Sequence, residues 1–135
     1  MFSDAHDAGE PVLAEMSRHF EPWLKRMLAN GRYTGWITTD GDRPVASAGI
    51  MILDWAPHFL DPAGEYRGYV LNVYVIPDYR RRGLARALVQ LCLDEARSRK
   101  IRVVALHASS AGRPVYEGLG FRATSEMYFV DGTDG

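Results

Sequence analysis

Val73-Tyr74-Val75-Ile76-Pro77-Asp78-Tyr79-Arg80-Arg81-Arg82-Gly83-Leu84-Ala85-Arg86 changes character twice within fourteen residues. It opens as a β-branched and aromatic run, breaks at Pro77-Asp78, and takes up helical spacing from Gly83. Three arginines and a glycine therefore stand at the N-terminus of a helix. That end carries a partial positive charge of about half a unit and N–H groups without intrahelical partners. Cations are misplaced there, where Asp, Ser or Thr is usual. An anion removes the conflict, because the N–H groups and the dipole hold it and arginines add bidentate contacts. Gly83 lets the backbone approach closely, and Ala85 keeps the next turn small. A pyrophosphate suits such a site. An arginine run alone is more often a solvated patch, and the strand–turn–helix context turns the reading toward an anion. No G-x-G-x-x-G follows a strand and no Walker A sequence is present, so neither of those routes holds it.

Upstream, Tyr66 to Ile76 reads as a strand, apolar on both faces over Tyr69–Ile76 and so central to its sheet. Asp54 to Glu65 holds two prolines, a glycine, Trp55 and Phe59, and reads as a loop with exposed aromatics. Val45 to Leu53 and Arg32 to Thr39 read as two strands joined by a hairpin turn at Asp40-Gly41-Asp42. Glu10 to Leu28 shows helical apolar spacing interrupted by Pro22, which predicts two helices or one kinked helix, ended at Asn30-Gly31.

Downstream, Gly83 to Arg99 is a strong helix with an inward stripe of Leu84, Ala87, Leu88, Leu91 and Ala96, and an i,i+4 pair of Glu95 and Arg99. Ile101 to Leu106 reads as a buried strand, Ser109 to Glu117 as a short helix ended by Gly118-Leu119-Gly120, and Glu126 to Val130 as a closing strand. The order α, β, β, β, α, β, α, β predicts an α/β (α+β) domain with a mixed sheet. One domain over residues 10–130 is expected, with a flexible start at 1–9 and a loose tail at 131–135.

Of the 135 residues, 47% are hydrophobic and 24% charged, an ordinary globular composition. A net charge of −1 opposes a general nucleic-acid binder, and the arginine cluster lacks interleaved aromatics. Cys92 is the single cysteine, so no internal disulfide forms. No apolar run spans a membrane, and the acidic N-terminus is not a secretory signal, so the expected location is the cytoplasm. The four histidines do not pair with carboxylates at ligand spacing, so no metal is expected.

Arg80-x-x-Gly83-x-Ala85, after a strand and Pro77, resembles the Q/R-x-x-G-x-G/A motif of the GCN5-related N-acetyltransferases. Tyr116-Glu117-Gly118-Leu119-Gly120-Phe121 is similar to the family's Y-E-x-L-G-F block, in the same order and at a fitting distance. The resemblance covers roughly Gly35 to Phe129. It implies a mostly antiparallel central sheet flanked by helices and an enzyme that moves acetyl from acetyl-CoA to an amine on a small molecule or a protein. It implies that Val73, Tyr74 and Val75 pair with the pantetheine arm. The amides from Arg81 through Arg82, Gly83, Leu84 and Ala85 to Arg86 would cradle the pyrophosphate, with Arg80 opening the motif. Tyr116 matches the tyrosine near the coenzyme sulfur. A phenol with a pKa of about 10 can protonate a departing thiolate, whose thiol has a pKa of about 8.5.

Two departures stand out. Where many members carry a pantetheine-contacting asparagine, this chain has Ser109, with Arg113 nearby. A typical first strand is also lacking: either the N-terminus is truncated or the fold lost that edge strand. An edge left open would allow a homodimer. The acceptor amine must lose a proton, for which Asp54, Glu65, Asn72 (as a water holder) and His107 are candidates. Trp55, His58, Phe59 and Leu60 are expected to wall the acceptor site. The alternative reading is a coenzyme sensor or interaction module without turnover.

Overall fold

The turn Gly41-Asp42 pairs Asp40 with Arg43 and so sets the register of the first hairpin. Gly41 takes the positive φ, +61°, that such a turn demands. This computed structural model describes residues 10–132; the expected flexible start at 1–9 and the last residues of the tail, 133–135, lie outside the described residues. The hairpin joins β1 (Tyr33–Asp40) to β2 (Arg43–Asp54), and β3 (Tyr66–Val75) follows antiparallel to β2. After helix α2 (Leu84–Ser98), β4 (Val104–Leu106) returns parallel to β3, giving the order β1-β2-β3-β4. Helix α1 (Glu10–Ala29) precedes the sheet, and α3 (Arg113–Gly118) follows it. The mixed, mostly antiparallel open sheet flanked by helices is the expected architecture, and β3 is central as its two-sided apolar pattern required.

The core lies between the sheet and α2. Ala46, Ala48, Ile50 and Ile52 alternate along β2 onto one face, and with Val70 they meet Leu88, Val89, Cys92 and Ala96. Ile101 and Tyr116 close the cluster. Each large aliphatic side chain buried here contributes about 1.5–3 kcal/mol.

Several expectations need correction. The stripe of α2 is turned: Ala87 is exposed and Leu91 is 41% exposed, while Val89 and Cys92 are fully buried. Apolar residues surround much of this helix, so periodicity alone did not select the face that meets β2. The strand expected over 101–106 pairs only at Val104–Leu106, although Ile101 is buried. The short helix starts at Arg113 rather than Ser109; Pro114, which has no N–H, fits its first turn. Of the two outcomes expected at Pro22, a single helix is the one found: α1 continues through it, and Met16, Phe20, Trp23, Leu24 and Met27 form a half-buried stripe across it.

The largest difference is at the end. Glu126 to Val130 forms no strand, and Met127 and Phe129 are almost fully exposed. β-propensity favours an extended chain, but a strand also needs an edge to pair with.

Candidate active site

β3 and β4 pair only where Gly68, Tyr69 and Val70 face Val104, Ala105 and Leu106. Just beyond that point β3 gains a residue. Gly49 pairs with Leu71 and Ser47 with Tyr74, so β3 advances three positions while β2 advances two. The extra residue forms a bulge at Asn72, whose φ is +58°. Asparagine is one of the few residues that tolerates this left-handed conformation. Ser47 Oγ donates a hydrogen bond of 2.8 Å to the Asn72 carbonyl. From Leu71 to Val75, β3 keeps β2 on one edge, and among the described residues no strand covers the other. Backbone groups on that edge need a partner, and an extended ligand arm can supply one. Val73, Tyr74 and Val75 lie there, half-buried.

The arginine loop follows at once. A 3-10 turn, Pro77–Tyr79, carries the chain off β3. Arg80 Nε donates to the Val75 carbonyl at 2.8 Å, and its guanidinium lies 5.8 Å from the centre of the Tyr74 ring. Arg82 donates to the Asp78 carbonyl at 3.2 Å and stacks 4.7 Å from the centre of the Tyr79 ring. Two of the three arginines are thus tied into the loop's own backbone. The exposed Arg81 side chain has no polar contact among the described residues. Arg81 and Gly83 both have positive φ, +65° and +78°. Gly83 is the N-cap of α2, with no side-chain cap and no acidic residue in the first turn. The first helical bond runs from Ala87 N–H to Gly83 O, which leaves the amides of Leu84, Ala85 and Arg86 without helical partners. A Cβ on Gly83 would meet nothing within 4 Å, so glycine is favoured here by its positive φ rather than by space. An anion fits this cradle.

Tyr116, in α3, is 8% exposed, and its ring meets Phe121 edge-on with centroids 6.0 Å apart. Gly112 makes this approach possible, because a Cβ there would lie 2.9 Å from Tyr116 Cε2 and 3.2 Å from Ser109 Oγ. Ser109 and Tyr116 are therefore neighbours across one glycine. The Ser109 hydroxyl accepts the Gly112 N–H at 3.1 Å, so it is partly committed to the turn before α3. The Tyr116 hydroxyl has no hydrogen-bond partner among the described residues. Burial raises its pKa above the usual phenol value of 10.0, with a smaller contribution from Cys92. Arg86 reaches the far end of α3, its Nη1 3.0 Å from where a Cβ on Gly118 would stand. Arg113 lies beside Glu117 at 3.6 Å, and both are exposed.

The candidate proton acceptors are not brought together. Asp54 and Glu65 line an open cavity of about 410 Å³ with Trp55, Ala56, Pro57 and Tyr66, at the other end of β3. Asp54 is also 3.2 Å from Arg32. Trp55 is backed by Arg67, 4.0 Å from its ring centre, and Phe59 and Leu60 are exposed. The aromatic loop thus stands away from the open edge. His107 follows the last residue of β4, stacked on Tyr128 and hydrogen-bonded to its hydroxyl, with the Tyr69 ring 5.5 Å away. Sequence reasoning offers Asn72 as a water holder and misses its part in the bulge. The available signal was an αL-tolerant residue inside an apolar strand.

A model of the acetyltransferase (GNAT) family matches residues 2–121. The [ribosomal protein bS18]-alanine N-acetyltransferase of Escherichia coli strain K12 is 30% identical over 129 residues, 90% of this chain and 79% of its own length. A solved GCN5-related N-acetyltransferase from Ralstonia eutropha JMP134 superposes with a TM-score of 0.89 at 38% identity, covering 96% of this chain and 84% of its own. A predicted acetyltransferase from Clostridium acetobutylicum, solved with acetyl-CoA, gives 0.80 at 29% identity, covering 86% and 75%. Among the described residues, no cluster of three or more His, Cys, Asp or Glu could hold a metal, and no helix is long and apolar enough to cross a membrane.

Proposed function

Since this chain belongs to the acetyltransferase (GNAT) family and is an acetyl-CoA-dependent N-acetyltransferase, we propose which of its residues carry out the reaction. The β3 edge from Val73 to Val75 takes the pantetheine arm, and the amides from Arg81 to Arg86 take the pyrophosphate. One observation carries the assignment: an uncapped helix N-terminus with a left-handed glycine stands directly after a strand edge that β4 leaves open.

Bound acetyl-CoA supplies an acetyl group on a thiol leaving group with a pKa of about 8.5. Tyr116 Oη holds the proton that group needs. Burial raises its pKa above 10.0, so it is protonated at neutral pH, the form a proton donor needs. Ser109, beside Tyr116, stands in for the family's asparagine. For the proton lost by the acceptor amine, Asp54 and Glu65 stand at the wrong end of β3. His107, directly after the residue where β4 stops pairing with β3, comes first of the four candidates. Residues 10–130 act as one catalytic domain in this reading.

The acceptor is an amine. The relative named for the alanine of a ribosomal protein makes an alanine-starting peptide the first acceptor to try, with small-molecule amines as the other arm. Thiol release with both sets, alongside calorimetric titration of acetyl-CoA, tests the proposal. Wild type is expected to bind acetyl-CoA and release thiol with at least one amine. Gly83→Val, whose branched side chain resists positive φ, is expected to bind at least about tenfold more weakly. Unchanged binding would remove the loop assignment. Binding without thiol release across the panel would favour the coenzyme sensor.

A further inference from the structure

Tyr33 opens β1, two strands from the coenzyme slot, yet its side chain reaches the bulge. The ring lies over Gly35 and Gly49, which oppose each other in β1 and β2. A Cβ on Gly49 would collide with Tyr33 Oη, and one on Gly35 would lie 3.0 Å from Tyr33 Cε1. Neither glycine has positive φ, so the reason for glycine at both positions is space. Together they clear a channel across the sheet. Asn72 Nδ2 reaches its end and donates to Tyr33 Oη at 3.1 Å. Trp23 of α1 meets the Tyr33 ring edge-on, with centroids 6.1 Å apart. Tyr33 itself is buried. The Asn72 carbonyl is held separately by Ser47, which is also buried.

We propose that Tyr33 is a positioning residue that latches Asn72 in its left-handed conformation and so fixes the register of the β3 edge that receives the coenzyme arm. The inference rests on the slot assignment made under the proposed function. Its physical basis is the period of two in a strand. The bulge inserts one residue at Asn72, and losing it would move Val73, Tyr74 and Val75 one position against β2. Their side chains would then exchange faces, and the N–H and C=O groups turned toward the slot would exchange as well. Left-handed backbone at a non-glycine residue is mildly unfavourable, and its cost is of the size that one or two hydrogen bonds can offset. The side chain and the carbonyl of Asn72 have one such bond each.

Tyr33→Phe keeps the ring and removes only the hydroxyl. Acetyl-CoA is titrated calorimetrically into wild type, Tyr33→Phe, Asn72→Gly and the double variant, with melting temperatures recorded alongside. Tyr33→Phe is expected to raise the Kd for acetyl-CoA about fivefold, the size of one hydrogen bond, while KM for the amine stays unchanged. Asn72→Gly keeps positive φ accessible but gives Tyr33 nothing to hold, and it is expected to weaken binding similarly. The double variant should then bind no worse than Asn72→Gly alone. A Tyr33→Phe protein that melts lower but binds within twofold of wild type would reduce Tyr33 to a packing residue. Additive losses in the double variant would equally sink the latch. Wild-type binding that is insensitive to Gly83→Val overturns the slot assignment instead, so the two failures are told apart.

Discussion

In the first half of β3, Gly68–Val70 lie between β2 and β4, whereas the second half, Leu71–Val75, has β2 alone. Both halves are largely apolar and belong to one strand. In the first, Gly68 lies against Ile50 and Val104, and Val70 enters the core beneath α2. In the second, a left-handed Asn72 redirects the chain and one row of backbone groups is left without a strand partner. The difference teaches that the edge proposed for the coenzyme arm is made by withholding a neighbour rather than by adding side-chain chemistry. The half that is fully paired holds the fold, and the half that is singly paired is free to hold a ligand.

The largest effect should come from the singly paired side. Tyr116→Phe keeps the ring and removes the acid. It is expected to lower kcat about a hundredfold with the Kd for acetyl-CoA within about twofold of wild type, measured by thiol release and titration. A kcat near wild type would make Tyr116 a core aromatic only. In the paired half the opposite pattern is expected. A Cβ at Gly68 would lie 2.9 Å from Ile50 Cδ1 and 3.3 Å from Val104 Cγ2. Gly68→Val should therefore destabilise the fold by about 1–3 kcal/mol in denaturant titrations while the folded fraction still binds acetyl-CoA normally. Loss of affinity at full folding would break the division between the two halves.

Smaller effects sharpen the anion loop. Arg81→Ala should weaken acetyl-CoA binding about fivefold and reduce its salt dependence, because this side chain is uncommitted and exposed. Arg82→Ala should instead disturb the loop that its bond to Asp78 O supports. The least effect at neutral pH concerns Cys92. Burial pushes its thiol from 9.0 up to about 12. The unfolded chain releases that proton first, so stability is level below pH 9 and falls as pH rises toward 12. Buried Tyr33 and Tyr116, whose pKa values are also raised, act in the same direction above pH 10. Urea titrations from pH 8 to 11 check the slope, and thiol reagents should label Cys92 only through unfolding.

The turn from β3 into α2 was legible because its signal is local. A proline stop, an arginine run, Gly83 and the onset of helical spacing lie within a few residues, and a helix terminus has the same unpaired amides wherever it occurs. The first hairpin was legible for the same reason, its register being set by a two-residue turn. The face of α2 was not, because Val89 and Cys92 compete with Ala87 and Leu91 on equal apolar terms until β2 chooses between them. Glu126 to Val130 misled because strand propensity is a property of the segment, while pairing is a property of a neighbour.

Sequence alone thus determined the order of elements from α1 to α3, the uncapped helix start after Pro77 and, with the Tyr116 block, the family. Tertiary structure alone decided that β3 and β4 part after Val70, that a left-handed Asn72 bulges just beyond, and that Tyr33 reaches it across two glycines. Helix caps and tight turns are settled by interactions within a few residues. The proposed latch needs Gly35, Gly49 and the bulge after Leu71 to be neighbours in three strands, and only the folded sheet places them together.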